Sequence, residues 1–319
     1  MKLQSWLLIV LIACLGSLPL AVSNPYYLNV INIAGLNVIM AVGLNLLIGY
    51  AGQISLGHAA FFAMGAYISG ILTARYGLPP WPALALAMTG TGLAAYLIGV
   101  PTMRLSGNYL VMATLGFNII INIIINQWDE VTGGPSGYPG IPPFSIGSFV
   151  LDTDLRAYYL IWGSVLATMW LALNLVDSRV GRALRALHGS EVAAASLGVD
   201  TDQYKVKIFV FSACLASLAG SFYAHYLSFI SPKTFNIFFS VELVTMVMVG
   251  GLASVWGSLL GAILLTPLPH LLHFFEEYKD VGYGLILVFL LIYRPQGLLV
   301  GLRWPEGKRP AERPAASKE

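Results

Sequence analysis

Asn118, Asn122 and Asn126 recur every four residues, which puts three amides on one face of a helix. Asn37, Asn45, Gln53, Ser55 and His58 make a second polar group within one short stretch of an otherwise apolar chain. Such side chains exchange hydrogen bonds with a polar solute or with a neighbouring helix. For Asn45, Gln53, Ser55, His58, Asn118 and Asn122 both readings stay open, as a polar strip along a translocation path or as interhelical bonding. Covalent chemistry finds no support, because no nucleophile stands with a base, and the chain is not expected to be an enzyme. His225, His270 and His273 lack metal-ligand spacing, apart from His273 near Glu276 and Glu277, so no metal is expected. There is no G-x-x-x-x-G-K-[ST] phosphate loop; the chain is therefore not an ATPase, and no cofactor is expected within it. Asp177, Glu242, Glu276 and Glu277 all fall at segment ends. An ion-coupled secondary transporter or channel, the rival reading, usually places a carboxylate near the membrane midplane, and a membrane-embedded enzyme would need an ionisable cluster.

The elements that must position these residues are membrane helices. Apolar residues make up 57% of the 319 and charged residues 10%, against roughly 45–50% and about 25% in ordinary soluble domains. A bilayer accepts helices of about 20 mostly apolar residues because every backbone polar group must pair within the segment. The fold class is all-α, a polytopic transmembrane helical bundle. Ten segments are drawn, at 3–22, 27–48, 53–75, 81–103, 108–127, 157–177, 207–227, 240–253, 255–275 and 281–301. Gly250-Gly251 is a natural break between the eighth and ninth. Residues 3–22 also have the makings of a signal peptide and are read as a retained first span. With both termini in the cytoplasm, thirteen of the 17 lysines and arginines fall inside, leaving Arg75, Arg156, Lys233 and Lys279 outside. Cys14 and Cys214 sit in apolar runs and read as buried small hydrophobes. The net charge of +2 gives no reason to expect a nucleic-acid partner.

The transmembrane domain is assigned to 1–303, with an outward loop at 128–156, an inward loop at 178–206 and a Pro-, Lys- and Glu-rich tail at 304–319 that is expected to be disordered. LNLLIGYAGQISLGHAAFFAMGAY (44–67) and VTMVMVGGLASVWGSLLGAILL (244–265) share a glycine-broken pattern that suggests two related halves. Gly257 and Gly261 form a G-x-x-x-G suited to close packing.

The inward loop carries GRALRALHGSEVAAASLGVD (181–200), where charge returns to the chain. Ser190 is placed to cap a helix, Glu191 favours its positive end and Gly198 is placed to end it in the left-handed conformation. Between them lie about two alanine-rich turns, preceded by a basic helix with Leu184 and Leu187 on one face, and Asp200 and Thr201 offer a further cap into the next span. Two surface helices result, fitted equally to a groove on another protein or to lipid phosphates.

Residues 181–224 resemble the cytoplasmic coupling region of the membrane subunits of ABC importers, specifically the branched-chain amino acid permease family of the LivM type. The stretches 35–67, 132–142 (TGGPSGYPGIP) and 246–262 (MVMVGGLASVWGSLLGA) resemble the same family in the same order. The match to its coupling pattern rests on Gly181, Arg182, Arg185, Glu191, Ala193, Ala194 and Gly198; His188-Gly189-Ser190 departs from it, where a charged Arg–Glu sequence is usual. The resemblance implies an inner-membrane permease subunit that passes branched-chain or related small amino acids or amides, with those seven residues coupling it to ATP-binding subunits that hold the ATP. It also implies a second, similar permease subunit and a periplasmic solute-binding protein, docked near 132–142.

Overall fold

The computed structural model describes residues 24–105, 107–146 and 149–268, with the isolated positions 16, 19, 281, 282, 284, 285, 288 and 289. The expected segments 3–22 and 281–301 and the tail 304–319 lie wholly or almost wholly outside the described residues.

Helix α1 (Pro25–Asn45) starts where the Asn24 side chain accepts from the Tyr26 amide and Pro25 supplies a pre-set φ. It continues through a π-helical turn, Leu46–Tyr50. Then come α2 (His58–Ala74), α3 (Pro80–Thr102), α4 (Asn108–Gln127), the single turn α5 (Asp129–Thr132) and α6 (Asp154–Asp177). The 178–206 loop folds into α7 (Arg179–Gly189) and α8 (Glu191–Ser196), followed by α9 (Thr201–Leu227), α10 (Ile237–Gly250) and α11 (Val255–Leu265). Among the described residues five helices, 25–50, 80–102, 108–127, 154–177 and 201–227, are long and apolar enough to cross a membrane; 58–74, 237–250 and 255–265 are shorter apolar helices. The fold is thus all-α and of membrane type.

Two helix starts differ from expectation by five residues or more. Helix α9 begins at Thr201, not 207, because the Asp200 carboxylate accepts from the Gln203 amide and carries the helix out through the polar residues. Helix α2 begins at His58, not 53, leaving 51–57 irregular, for reasons that lie in other helices. The two stretches that echo one another in sequence also fold differently. Residues 244–265 form α10 and α11, packed antiparallel on each other, whereas α2 leaves α1 and packs on α9 and α3.

Helix α1 is the centre of the bundle, with 89% of its span buried, against 22% for α4 at the periphery. Its neighbours are α6, α9, α10 and α11. Helices α2 and α9 meet most closely, since a Cβ at Gly65 would overlap the Ser217 carbonyl and one at Gly220 would overlap the Phe62 carbonyl. Small residues let membrane helices approach to backbone contact, where dispersion replaces the missing hydrophobic drive. On α3 the same role falls to Ala83, Ala87, Ala95 and Gly99, all buried. Gly257 and Gly261 press on Gly250 and Met246, which closes the α10–α11 pair.

The outward loop is tied to these helix ends by polar bonds. Strand β1 (Tyr138–Pro139) pairs antiparallel with β4 (Phe229–Ile230), and β2 (Ser145–Ile146) pairs with β3 (Phe149–Val150). His225 Nδ1 donates to the Pro142 carbonyl at 2.6 Å, leaving Nε2 at 2.8 Å from the Ser69 hydroxyl, which accepts from Ser221. Arg75 donates to the Glu130 carbonyl and Trp81 to that of Ser145.

A methyl group at Gly220 is expected to cost about 1–3 kcal/mol through overpacking and to lower the thermal midpoint of the detergent-purified protein. Gly163→Ala, at an exposed helix position with open space around it, is the control and is expected to leave the midpoint unchanged or raise it.

Candidate functional site

Two parts of the chain hold the expected site residues, the α7–α8 loop and the passage from α1 into α2. Helix α7 is capped by Ser178, whose hydroxyl accepts from the Val180 and Gly181 amides and donates to the Leu175 carbonyl. Gly181, Leu184 and Leu187 form its buried face. Gly181 sits where a Cβ would overlap the Val176 carbonyl, so it allows α7 to fold back tightly against the end of α6. Arg182 and Arg185 are exposed, and Arg182 donates to the Asp177 carbonyl at 3.3 Å.

Helix α8 is closed at both ends by local chemistry. The Ser190 hydroxyl accepts from the Ala193 amide at 3.3 Å. At the other end Gly198 adopts φ +81, and the Gly198 and Val199 amides donate to the Ala195 and Ala194 carbonyls. This paired closure is what a left-handed residue after a helix makes possible. Glu191 forms an ion pair with Lys205 of α9, whose side chain is almost fully buried. That tether and the buried Ala194 turn one side of α8 toward its own chain. Ala193 is exposed, and Val192 and Leu197 are 78% and 82% exposed. The alanine pattern alone gave no indication that these two large apolar side chains would be the outward knob.

At the far end of α1, Asn45 is buried and saturated. Its amide nitrogen lies 3.1, 2.8 and 2.7 Å from the Gly251 carbonyl, the Ser254 carbonyl and the Ser258 hydroxyl, and its oxygen accepts from the Ala253 amide at 2.9 Å. Ala253 holds φ +56, an unfavourable region for a residue with a Cβ. Asn45 therefore staples the strained 251–254 turn to α1. Gly49, in the π-helical turn, lies so close that a Cβ there would overlap the Ala253 amide.

In the irregular 51–57 passage the Gly52 and Gln53 amides donate to the Ile48 and Leu47 carbonyls, and side chains of another helix hold the Leu56 backbone. The Leu56 amide donates to Thr114 Oγ1 at 3.1 Å, and its carbonyl accepts from Asn118 at 3.1 Å. Asn118 also donates to the Ser240 hydroxyl, which accepts from the Ala59 amide at the start of α2. Ser55 accepts from the Gly57 amide, and the His58 ring bonds Ser212 at 2.6 Å while its Nδ1 is buried without a hydrogen-bond partner. Buried irregular backbone needs such partners from the protein around it.

Ser55, His58 and Asn118 are thus brought into one buried cluster with Thr114, Ser212 and Ser240, three members that sequence spacing gave no reason to choose. Asn45 stands apart from it as a staple. Gln53 is half-buried and donates to the Ala51 carbonyl, and Asn122 donates to the Pro232 and Phe235 carbonyls on the outward side. The six polar residues do not form a single strip.

The two parts touch. Helix α7 packs on the π-helical turn, and Gly52, at φ +69, faces the His188 ring, whose Nδ1 lies 3.0 Å from where a Cβ would be. His188 therefore joins the surface helices to the irregular passage. Asn45→Leu removes four buried contacts, and membrane hydrogen bonds average about 0.6 kcal/mol. A loss of about 2 kcal/mol, read as a lower thermal midpoint in detergent, is expected.

Residues 26–291 match a family model described as branched-chain amino acid transport system / permease component. The high-affinity branched-chain amino acid transport system permease proteins LivM of Salmonella typhimurium and of Escherichia coli are each 32% identical over 262 residues, which is 75% of this chain and 62% of theirs. This chain therefore spans less than two thirds of the length of those relatives. The permease protein BraD of Pseudomonas aeruginosa is 26% identical over 257 residues, 75% of this chain and 83% of its own. No solved structure matches the chain. With most of its length matched by one family model and the polar passage and surface helices placed within that match, the chain belongs to the family of branched-chain amino acid transport system permease components.

Proposed function

We propose that this chain is a membrane permease subunit of an ABC importer and forms part of the path for branched-chain amino acids or related small amino acids and amides. The observation that carries the proposal is α8, a rigid two-turn knob that projects Val192 and Leu197 away from the bundle. Apolar side chains on a short, doubly capped helix suit a cleft in a partner protein; a lipid-resting helix would spread cations along a longer polar face. The partners on this reading are two ATP-binding cassette subunits, which bind the ATP, a second permease subunit and a periplasmic solute-binding protein. The chain lies in a bacterial inner membrane with ten spans, its α7–α8 end and both termini in the cytoplasm and the 128–156 loop outside.

The division of roles within the loop follows from burial. Val192, Ala193 and Leu197 meet the ATPase, with Arg182 and Arg185 at the rim. Gly181, Glu191, Ala194 and Gly198 act by holding the knob to the chain. A push on α8 passes through Glu191 to Lys205 of α9, and through α7 and His188 to the Gly52 end of the passage. Ser55, His58 and Asn118 respond to that push when the passage rearranges, while Asn45 holds the π-helical turn before it to the 251–254 turn, Gln53 bonds within the passage, and Asn122 holds the 232–235 turn.

Replacing Val192 and Leu197 together with Asp tests this. Side chains that anchor an interface contribute about 2 kcal/mol or more each, so co-purification of the ATP-binding subunit and ATP-driven uptake in vesicles are expected to collapse with the thermal midpoint unchanged. Uptake that persists and follows an ion gradient instead would contradict the proposal and favour a secondary transporter.

A further inference from the structure

Helices α3 and α9 are in contact along one flank, where Gly99 and Gly92 approach Phe209 and Cys214. On the other flank they part into a groove of about 490 Å³, at the end of the bundle that carries α7 and α8. Tyr96, Val100 and Arg104 line one wall at successive four-residue steps, and Asp202, Gln203, Val206, Lys207 and Val210 line the other. Both walls change character in the same direction. Arg104, just past the last residue of α3, and Lys207, in the second turn of α9, are exposed at the mouth. Val100, Val206, Val210 and the half-exposed Tyr96 lie deeper.

We propose that this groove binds one anionic phospholipid, with its phosphate held by Arg104 and Lys207 and an acyl chain lying along Tyr96, Val100, Val206 and Val210. The eight residues from Arg104 to Tyr96 span roughly 12 Å of helix, much of the roughly 15 Å half-thickness of a hydrocarbon core about 30 Å thick. An acyl chain therefore fits the depth of the groove while its headgroup stays at the mouth.

Charge decides the class of lipid. Arg104 and Lys207 face one carboxylate, Asp202, so the mouth carries a net positive charge. Lys205 adds nothing, because it is buried and paired with Glu191. Lys207 is pre-positioned, 3.3 Å from Gln203 Oε1 and 5.7 Å from the centroid of the Tyr204 ring. A guanidinium matches a phosphodiester through two parallel donors, and an ammonium adds a point charge. Basic pockets between membrane helices hold anionic headgroups on these grounds. A soluble anion would leave the apolar depth of the groove unused.

Native mass spectrometry of the detergent-purified chain, titrated with phosphatidylglycerol or with phosphatidylcholine of the same acyl chains, reads the site directly. Wild type is expected to bind phosphatidylglycerol several-fold better. The Arg104→Gln/Lys207→Gln variant is expected to lose that preference and to fall to the phosphatidylcholine level at an unchanged thermal midpoint. Val100→Trp fills the groove without touching charge and is expected to weaken phosphatidylglycerol as well. Three results would overturn the proposal. These are equal binding by the double variant, displacement of the lipid by millimolar glycerol phosphate, and loss of ATPase co-purification in the double variant with lipid binding intact, which would make the groove a protein contact.

Discussion

Hydrocarbon offers no water, so each N–H and C=O at membrane depth must find its partner inside the protein. Most of this chain meets that constraint by being helical. Residues 51–57 leave the helix ladder: the Gly52 and Gln53 amides still donate to the Ile48 and Leu47 carbonyls, but beyond them side chains supply the partners. Thr114 and Asn118 on α4 and Ser55 within the passage bond the Leu56 and Gly57 backbone, and Ser240 on α10 takes the Ala59 amide at the start of α2. These side chains work as an internal solvent. An irregular segment held by side-chain bonds has alternatives that a helix ladder does not, and for that reason it is the part of the bundle best suited to rearrange.

The same constraint explains where rigidity is placed. Helix α1 ends in a π-helical turn, a local widening found often at functional positions. Asn45 fastens that turn to the α10–α11 connection with four contacts, while α7 packs beneath it and His188 faces Gly52. Helix α8 is joined to the long helix α9 by the Glu191–Lys205 pair. Lys205 is buried and Glu191 is half-exposed, so removing Glu191 would leave a costly lone charge at Lys205, and the pair holds the knob in one attitude. On the proposed reading, motion at the knob reaches the irregular passage through the Glu191–Lys205 pair and the packing of α7 and His188 against the π-helical turn and Gly52.

Much of this was legible in the sequence, and the parts that were not share a cause. The apolar runs mark the helices because burial of the backbone demands them. Ser190 and Gly198 delimit α8 correctly because capping depends on residues within one turn. Gly250-Gly251 marks a true break for the same reason. The apolar pattern extends α2 to 53, yet the helix starts at 58 because the Leu56 backbone is held by Thr114 and Asn118 of α4, far away in sequence. The orientation of α8 was hidden likewise, since it is set by Lys205, fourteen positions on. The asparagine spacing in α4 predicted a shared face, but Asn118 and Asn122 bond different elements.

The central claim is that the knob and the irregular passage move as one linked unit. Hydrogen–deuterium exchange on the importer assembled from this chain and its ATP-binding subunits, with and without a non-hydrolysable ATP analogue, tests it most directly. The account predicts that nucleotide changes exchange in peptides covering 179–198 and in those covering 46–58 together, while α6 stays constant. Protection at 179–198 with no change at 46–58 would contradict it.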